Sequence, residues 1–244
     1  MFQRNCGTNP TISPDINAPP ISAEHFCYNE DMGKINLLIA NANDNLSGKL
    51  DLIKKAIKTA EDYTFGRLDI NWDIDVLVTT RIYDIIIPED GVGGRTITSD
   101  FIELSINNDV TETKLAEMLV HELCHAARWG KNGEWADSLF KNLICEGLAV
   151  YFEKEFASSN VEKQFYLETV ISRSKEDNQK ILEQLQDSLD SNSYDYDAIF
   201  FNGNENLPRW AGYSLGLHLV EQYLAKTGKT LPEAYADNYS NFKY

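Results

Sequence analysis

The sequence lacks any long apolar run. Nothing approaches the roughly 18 consecutive apolar residues that a membrane span needs, and the longest purely aliphatic stretch near the start is Leu37-Leu38-Ile39-Ala40. No transmembrane segment is expected. Positive charge is scarce: 22 Lys plus Arg stand against 38 Asp plus Glu, a formal charge of −16 at pH 7. Sequence-independent binding to nucleic acid or anionic lipid requires a cationic surface that releases counterions, so no nucleic-acid partner is expected. Four cysteines in 244 residues are too few for a disulfide scaffold. Two of them, Cys124 and Cys145, lie in apolar helical segments, where free Cys behaves as a small hydrophobe.

Proline is concentrated instead of spread. Four of the seven fall at positions 10, 14, 19 and 20, among Asn and Ser with no helical or strand period, so residues 1–29 read as a Pro/Asn-rich arm or linker. The start, Met1-Phe2-Gln3-Arg4-Asn5, is followed by no apolar segment, and the expectation is a cytoplasmic protein. Cys6-Gly7 and the polar stretch behind it would instead suit an exported lipoprotein if an upstream signal segment existed.

Residues 30–244 read as one domain. A helical period starts near Ser47, with Ile53, Ala56, Ile57 and Ala60 on one face and Lys54, Lys55 and Lys58 on the other. Ile70 to Arg81 alternates as a strand, and shorter strands follow at 95–98 and 101–106, after the turn-forming Gly91-Val92-Gly93-Gly94. Beyond Asn108 the character is helical: 109–129 with Gly130 as its stop, then 135–157, 160–190 and 208–227. Strands first and helices after predict an α+β fold, a small antiparallel or mixed sheet preceding a mostly helical part.

Inside the helix at 109–129 stands His121-Glu122-Leu123-Cys124-His125. Residues four apart are separated by about 40° around an α-helix, so both imidazoles leave one face one turn apart, suitably for two bonds of about 2.0–2.1 Å to one zinc. Glu122 is rotated by about 100° from His121, which places its carboxylate beside such a metal. A catalytic zinc takes three protein ligands and keeps one position open. The next apolar helix offers Glu146, 21 residues beyond His125, with Glu134 and Asp137 as competitors nearer the loop. Glu153, seven residues after Glu146 on the same helical face, suits an outer role of orienting a ligand imidazole.

His121-Glu-x-x-His125 followed by Glu146-Gly147-Leu148-Ala149 resembles the gluzincin clan of metallopeptidases. Closer still is a bacterial family of predicted zinc-dependent proteases, a domain of unknown function. Shared with it are Gly91 to Gly94 before the strand pair ending Ile102 to Ile106, the run His121 to Arg128, the run Glu146 to Phe152, and Trp210-Ala211-Gly212-Tyr213-Ser214-Leu215-Gly216. The resemblance spans about residues 70 to 227. It implies a zincin-like domain, one Zn2+ per chain held by His121, His125 and Glu146, and Glu122 as general base for a zinc-activated water that hydrolyses peptide bonds. One departure is Val150, where the more familiar clan members carry an acid.

The flanking residues supply further expectations. A peptide or protein substrate could add along strand 101–106, read as the sheet edge before the metal helix. Arg128 shares the histidine face and would bind a substrate carboxylate or clamp a neighbouring loop. Gly212 and Gly216 form a small-residue stripe that would let their helix approach another backbone, with Tyr213 about 100° around from it. Tyr213 is the expected donor to an oxyanion, and His218 its rival. The alternative to an enzyme is a non-catalytic zinc-containing binding or regulatory protein on the same fold.

Overall fold

The structure is a computed structural model that describes residues 33–80, 85–133 and 136–243. The Pro-rich arm with Cys6, and Glu134 among the competing acids, lie outside the described residues. A four-stranded mixed sheet is built from β1 (Ile35–Ile39), β2 (Ile74–Thr79), β3 (Val92–Thr98) and β4 (Phe101–Ile106), in the order β1-β2-β4-β3. β1, β2 and β4 are parallel, and β3 runs antiparallel to β4. Between β1 and β2 runs helix α1 (Leu50–Thr64), whose buried face is Ile53, Ala56, Ile57 and Ala60 as the period requires. The α+β class is as the sequence indicates, with α1 between the first two strands and the remaining helices after the sheet.

One expectation about the sheet is overturned. Strand 101–106 is internal, between β2 and β4's hairpin partner β3. Its residues Ile102 to Ile106 are all buried, and Glu103 does not guard a free edge. Its carboxylate instead receives the Arg95 guanidinium of β3, Nη2 to Oε2 at 2.7 Å. The terminal strand of the sheet beside the metal helix is β3, whose first residues are covered by a bridge from Ile87 to Val92.

Helix α2 (Glu112–Asn132) packs on α1 and β3. Its N-cap is Thr111, whose hydroxyl accepts from Lys114 N at 3.3 Å, so Asp109 lies outside the cap. It also runs past Gly130 to Gly133, which takes a left-handed φ of 64°. Gly130 stays helical because its bare Cα lets the Trp72 ring approach: a Cβ there would lie 2.5 Å from that ring. Helix α3 (Leu139–Ala157) returns antiparallel to α2 with Ser138 as its cap. The segment at 160–190 is two helices, α4 (Phe165–Ile171) and α5 (Lys175–Leu185), because Ser174 caps a new start by accepting from Asp177 N. A π-helical turn (Asp197–Asn202) precedes α6 (Ala211–Thr227), and the short α7 (Leu231–Ala234) follows. No helix among the described residues is long and apolar enough to cross a membrane.

Helices α3 and α6 cross with backbone against backbone. A Cβ on Gly147 would stand 2.2 Å from the carbonyl oxygen of Gly216, and one on Gly216 would stand 2.1 Å from that of Leu143. Gly147→Ala should therefore force the helices apart and lower stability by about 1–3 kcal/mol. Gly48→Ala, with no atom within 4 Å of the added Cβ, should be close to neutral. Urea unfolding midpoints of the two variants check the contrast.

Candidate metal centre and cleft

Three electron-pair donors meet between α2 and α3. His121 Nε2 lies 3.3 Å and His125 Nε2 3.2 Å from Glu146 Oε2, and the two Nε2 atoms are 3.2 Å apart. A tetrahedral ion with bonds of about 2.0–2.1 Å separates its ligand atoms by about 3.3–3.4 Å. The near-equilateral triangle thus fits three corners of such a polyhedron, and two histidines with one glutamate are a set that catalytic zinc uses. Among the described residues this is the one group of His, Cys, Asp and Glu that could hold a metal ion.

The electrostatics favour a positive guest. Burial alone would depress the His121 pKa, but hydrogen bonds to Glu146 and Glu153 outweigh it and lift it to about 9. Burial likewise opposes the charge on His125, yet Glu146 and Cys145 hold its pKa well above the ordinary value. The Glu146 carboxyl is pushed the other way: burial would raise it, and the two imidazoles bring it far down.

Each imidazole is held from behind. Glu153, fully buried, places Oε2 3.0 Å from His121 Nδ1, while its other oxygen accepts from Gln164 Nε2 at 2.9 Å. Burial raises the Glu153 pKa despite the nearby His121. Behind His125 stands Cys145, Sγ to Nδ1 3.3 Å. Nothing in the sequence distinguished this cysteine from a core residue, because its partner is set by the crossing of α2 over α3. Cys124, on the other side of the helix, is buried in the core.

Glu122 reaches β3. The Thr96 hydroxyl lies 2.8 Å from Glu122 Oε2 and 2.9 Å from the Glu122 carbonyl oxygen, within reach to donate to either. Gly94 makes room for the carboxylate, since a Cβ there would come within 2.7 Å of Glu122 Cγ. The glycines before strand 95–98 are therefore more than a turn: Gly91 has the left-handed φ of 71°, whereas Gly93 and Gly94 are strand residues under close approach.

These groups line a cleft of about 350 Å³ that also includes Arg128, Tyr196 and Tyr213. A smaller recess of about 60 Å³ adjoins it, sharing His121, Glu122 and Tyr213 and walled by Ile85, Ile87, Met118 and Trp210. The Tyr213 ring centroid is 6.3 Å from that of His121. Burial, then Glu146, raises the Tyr213 pKa well above 10, which keeps its hydroxyl protonated. The Gly216 stripe delivers it, as its spacing indicates. Tyr196, in the loop ahead of the π-helical turn, brings a second phenol that no sequence period marked. His218 does not line either cavity; its Nε2 is 2.6 Å from Gln222 Nε2 and burial lowers its pKa. Asp137 pairs with Lys141 at 2.9 Å, away from the triangle.

A protein-family model described as "Predicted Zn-dependent protease (DUF2268)" matches residues 51–243. Neither the curated proteins nor the solved structures contain a match to this chain.

One turn before His121 lies Glu117, fully buried, accepting from Asn160 Nδ2 and from Gln164 N, each at 2.9 Å. Burial, with a smaller push from Glu153, raises its pKa from 4.5 to about 7. A raised folded-state pKa contributes stability that is complete below the unfolded value and is lost as pH rises through the folded one. Relative to Glu117→Gln, the wild-type protein should therefore lose stability, on the order of 3 kcal/mol, between pH 4.5 and about 7. Urea midpoints of both proteins across that window measure it.

Proposed function

The chain belongs to the DUF2268 family of predicted Zn-dependent proteases, and from that premise we propose a peptidase of gluzincin type that holds one zinc on His121, His125 and Glu146. The observation that carries the reading is the triangle of ligand atoms on the wall of the cleft, with Glu122 lining the same cleft. Zinc, when bound there, supplies Lewis acidity toward the scissile carbonyl and the attacking water.

The remaining work falls to the chain's own residues. Glu122 takes the proton from the water and returns it to the leaving amine, and Thr96 and Gly94 hold the carboxylate in the place where it can do both. Tyr213 donates its hydroxyl to the oxyanion that forms on the carbonyl oxygen. Glu153 keeps His121 in the tautomer that presents Nε2. The peptide adds as a strand along β3 beyond its Ile87–Val92 bridge, where Gly94, Arg95 and Thr96 line the cleft. A non-catalytic zinc protein would have no use for an acid held beside the triangle in this way, which counts for the enzyme over the binding module.

Digestion of a diverse peptide mixture by zinc-loaded protein should release fragments, and Glu122→Gln should abolish the release while retaining one zinc per chain by metal analysis, since the amide removes the base and leaves the ligands alone. Equal cleavage by that variant would remove Glu122 from the mechanism. Tyr213→Phe should lower kcat by about 10²-fold with zinc content unchanged. Wild-type kcat in the Phe variant would transfer the donor role, with Tyr196 the next residue to replace.

A further inference from the structure

Arg128 is the buried cation of the cleft. It is 3% exposed, lies on the wall of the 350 Å³ cavity, and sits three residues past His125 on α2. One edge of its guanidinium is committed: Nη1 donates to the carbonyl oxygens of Tyr235 and, at 3.0 Å, Asp237. The Tyr239 ring covers one face, 4.1 Å from its centroid to the guanidinium carbon. On the other edge neither Nε nor Nη2, both buried, has a hydrogen-bond partner of good geometry, and the Tyr239 phenol is the polar group beside the guanidinium. The sequence left Arg128 between loop clamp and carboxylate receptor; the clamp accounts for Nη1 alone.

A buried guanidinium edge without an acceptor is costly, because each desolvated N–H forgoes the bond it makes in water. Native proteins keep such groups rare, and an unpaired one calls for a specific partner. Nε–H and Nη2–H point in parallel, the fork that takes both oxygens of a carboxylate at once. Position sets the length of what lies between. Arg128 is about 4.5 Å along the helix axis from His125 and about 10.5 Å from His121, and an extended peptide advances about 3.3–3.6 Å per residue.

We propose that Arg128 is a substrate-carboxylate site, receiving a carboxylate one or two residues from the scissile bond. A peptide's C-terminus supplies that group, so that the cleft removes one or two residues from free chain ends; an Asp or Glu side chain at the same distance offers the same chemistry. The assignment of the substrate rests on the peptidase reading above, whereas the carboxylate site itself is tested by binding.

The test uses the full chain carrying Glu122→Gln, which cannot turn its ligand over, and isothermal titration with one acetylated tripeptide as free acid, the same tripeptide as amide, and an amide whose last residue is Glu. The free acid should bind about tenfold or more tightly than the amide, and the gap should persist after zinc is stripped with a chelator. A gap that vanishes with the metal would mean that the carboxylate merely ligates zinc, and equal binding of acid and amide would likewise overturn the proposal; both comparisons need no change at Arg128. Arg128→Lys, which keeps the charge and a donor for the two carbonyls but lacks the fork, should shrink the gap to threefold or less. A gap unchanged in a folded Arg128→Lys protein would also overturn it. Tight binding of the Glu-ended amide would support the site and make the side chain its source. Cleavage of peptides by the zinc-loaded protein without any acid preference would fail this inference alone, and acid preference without cleavage in any zinc-loaded preparation would fail the peptidase reading alone.

Discussion

The contact of α3 with α6 at Gly147 and Gly216 is the constraint on which the site depends. With no side chain at either position, the two backbones meet, and everything carried nearby is set to within the length of one side chain. Glu146 precedes Gly147 and therefore reaches α2 at the level of the histidines. Tyr213, one turn before Gly216, reaches the cleft from the other side. A methyl group on either glycine would spread the helices and open the triangle from two of its flanks at once, so one packing contact controls both the carboxylate donor and the phenol.

The second constraint is the burial of acidic side chains in a chain that already carries −16. Glu117, Glu153 and Asp90 are fully buried. They are tolerated because each accepts specific hydrogen bonds. Asp90 takes the backbone N–H groups of Phe165 and Tyr166 at the start of α4 and an ion pair from Lys114 at 3.2 Å. Glu117 and Glu153 share Gln164, one through its backbone N–H and the other through its side chain. Gln164 thereby couples the loop before α4 to the imidazole of His121, and the outer support of the site runs through a residue with no chemistry of its own.

Much of this was legible in the residues, for identifiable reasons. The amphipathic period of α1 and α2 and the four-residue spacing of the histidines are local, and a helix turns local spacing directly into geometry. Glu146 was reachable because it is an isolated acid in an apolar helix. The less legible parts depend on partners distant in sequence. β1 carries an unmarked Ile-Asn-Leu-Leu-Ile pattern and becomes a strand only by pairing with β2. Strand 101–106 reads as an edge because it is the last strand before the metal helix, and only the pairing with both β2 and β3 shows it to be internal. Gly130 looked like a stop until the Trp72 ring filled its place. Cys145 and Thr96 carry no signal as residue types, since their contacts with His125 and Glu122 come from what α2 places opposite them.

Three glutamates within two helices illustrate how environment divides one chemistry. Glu146 stands between two imidazoles, which draw its pKa down and fix it as an anion. Glu153 has one imidazole and the Gln164 amide as partners, and burial pulls its pKa up. Glu122 touches neither imidazole closely enough to be locked; a hydroxyl and a bare strand backbone are its neighbours. An anion held by two cations is a poor proton carrier, and an acid buried behind a ligand has no path to the cleft. Glu122 alone of the three lines the cleft beside Thr96 with neither imidazole as a hydrogen-bond partner, so the surroundings of the three differ by partner and access and not by their order in the sequence.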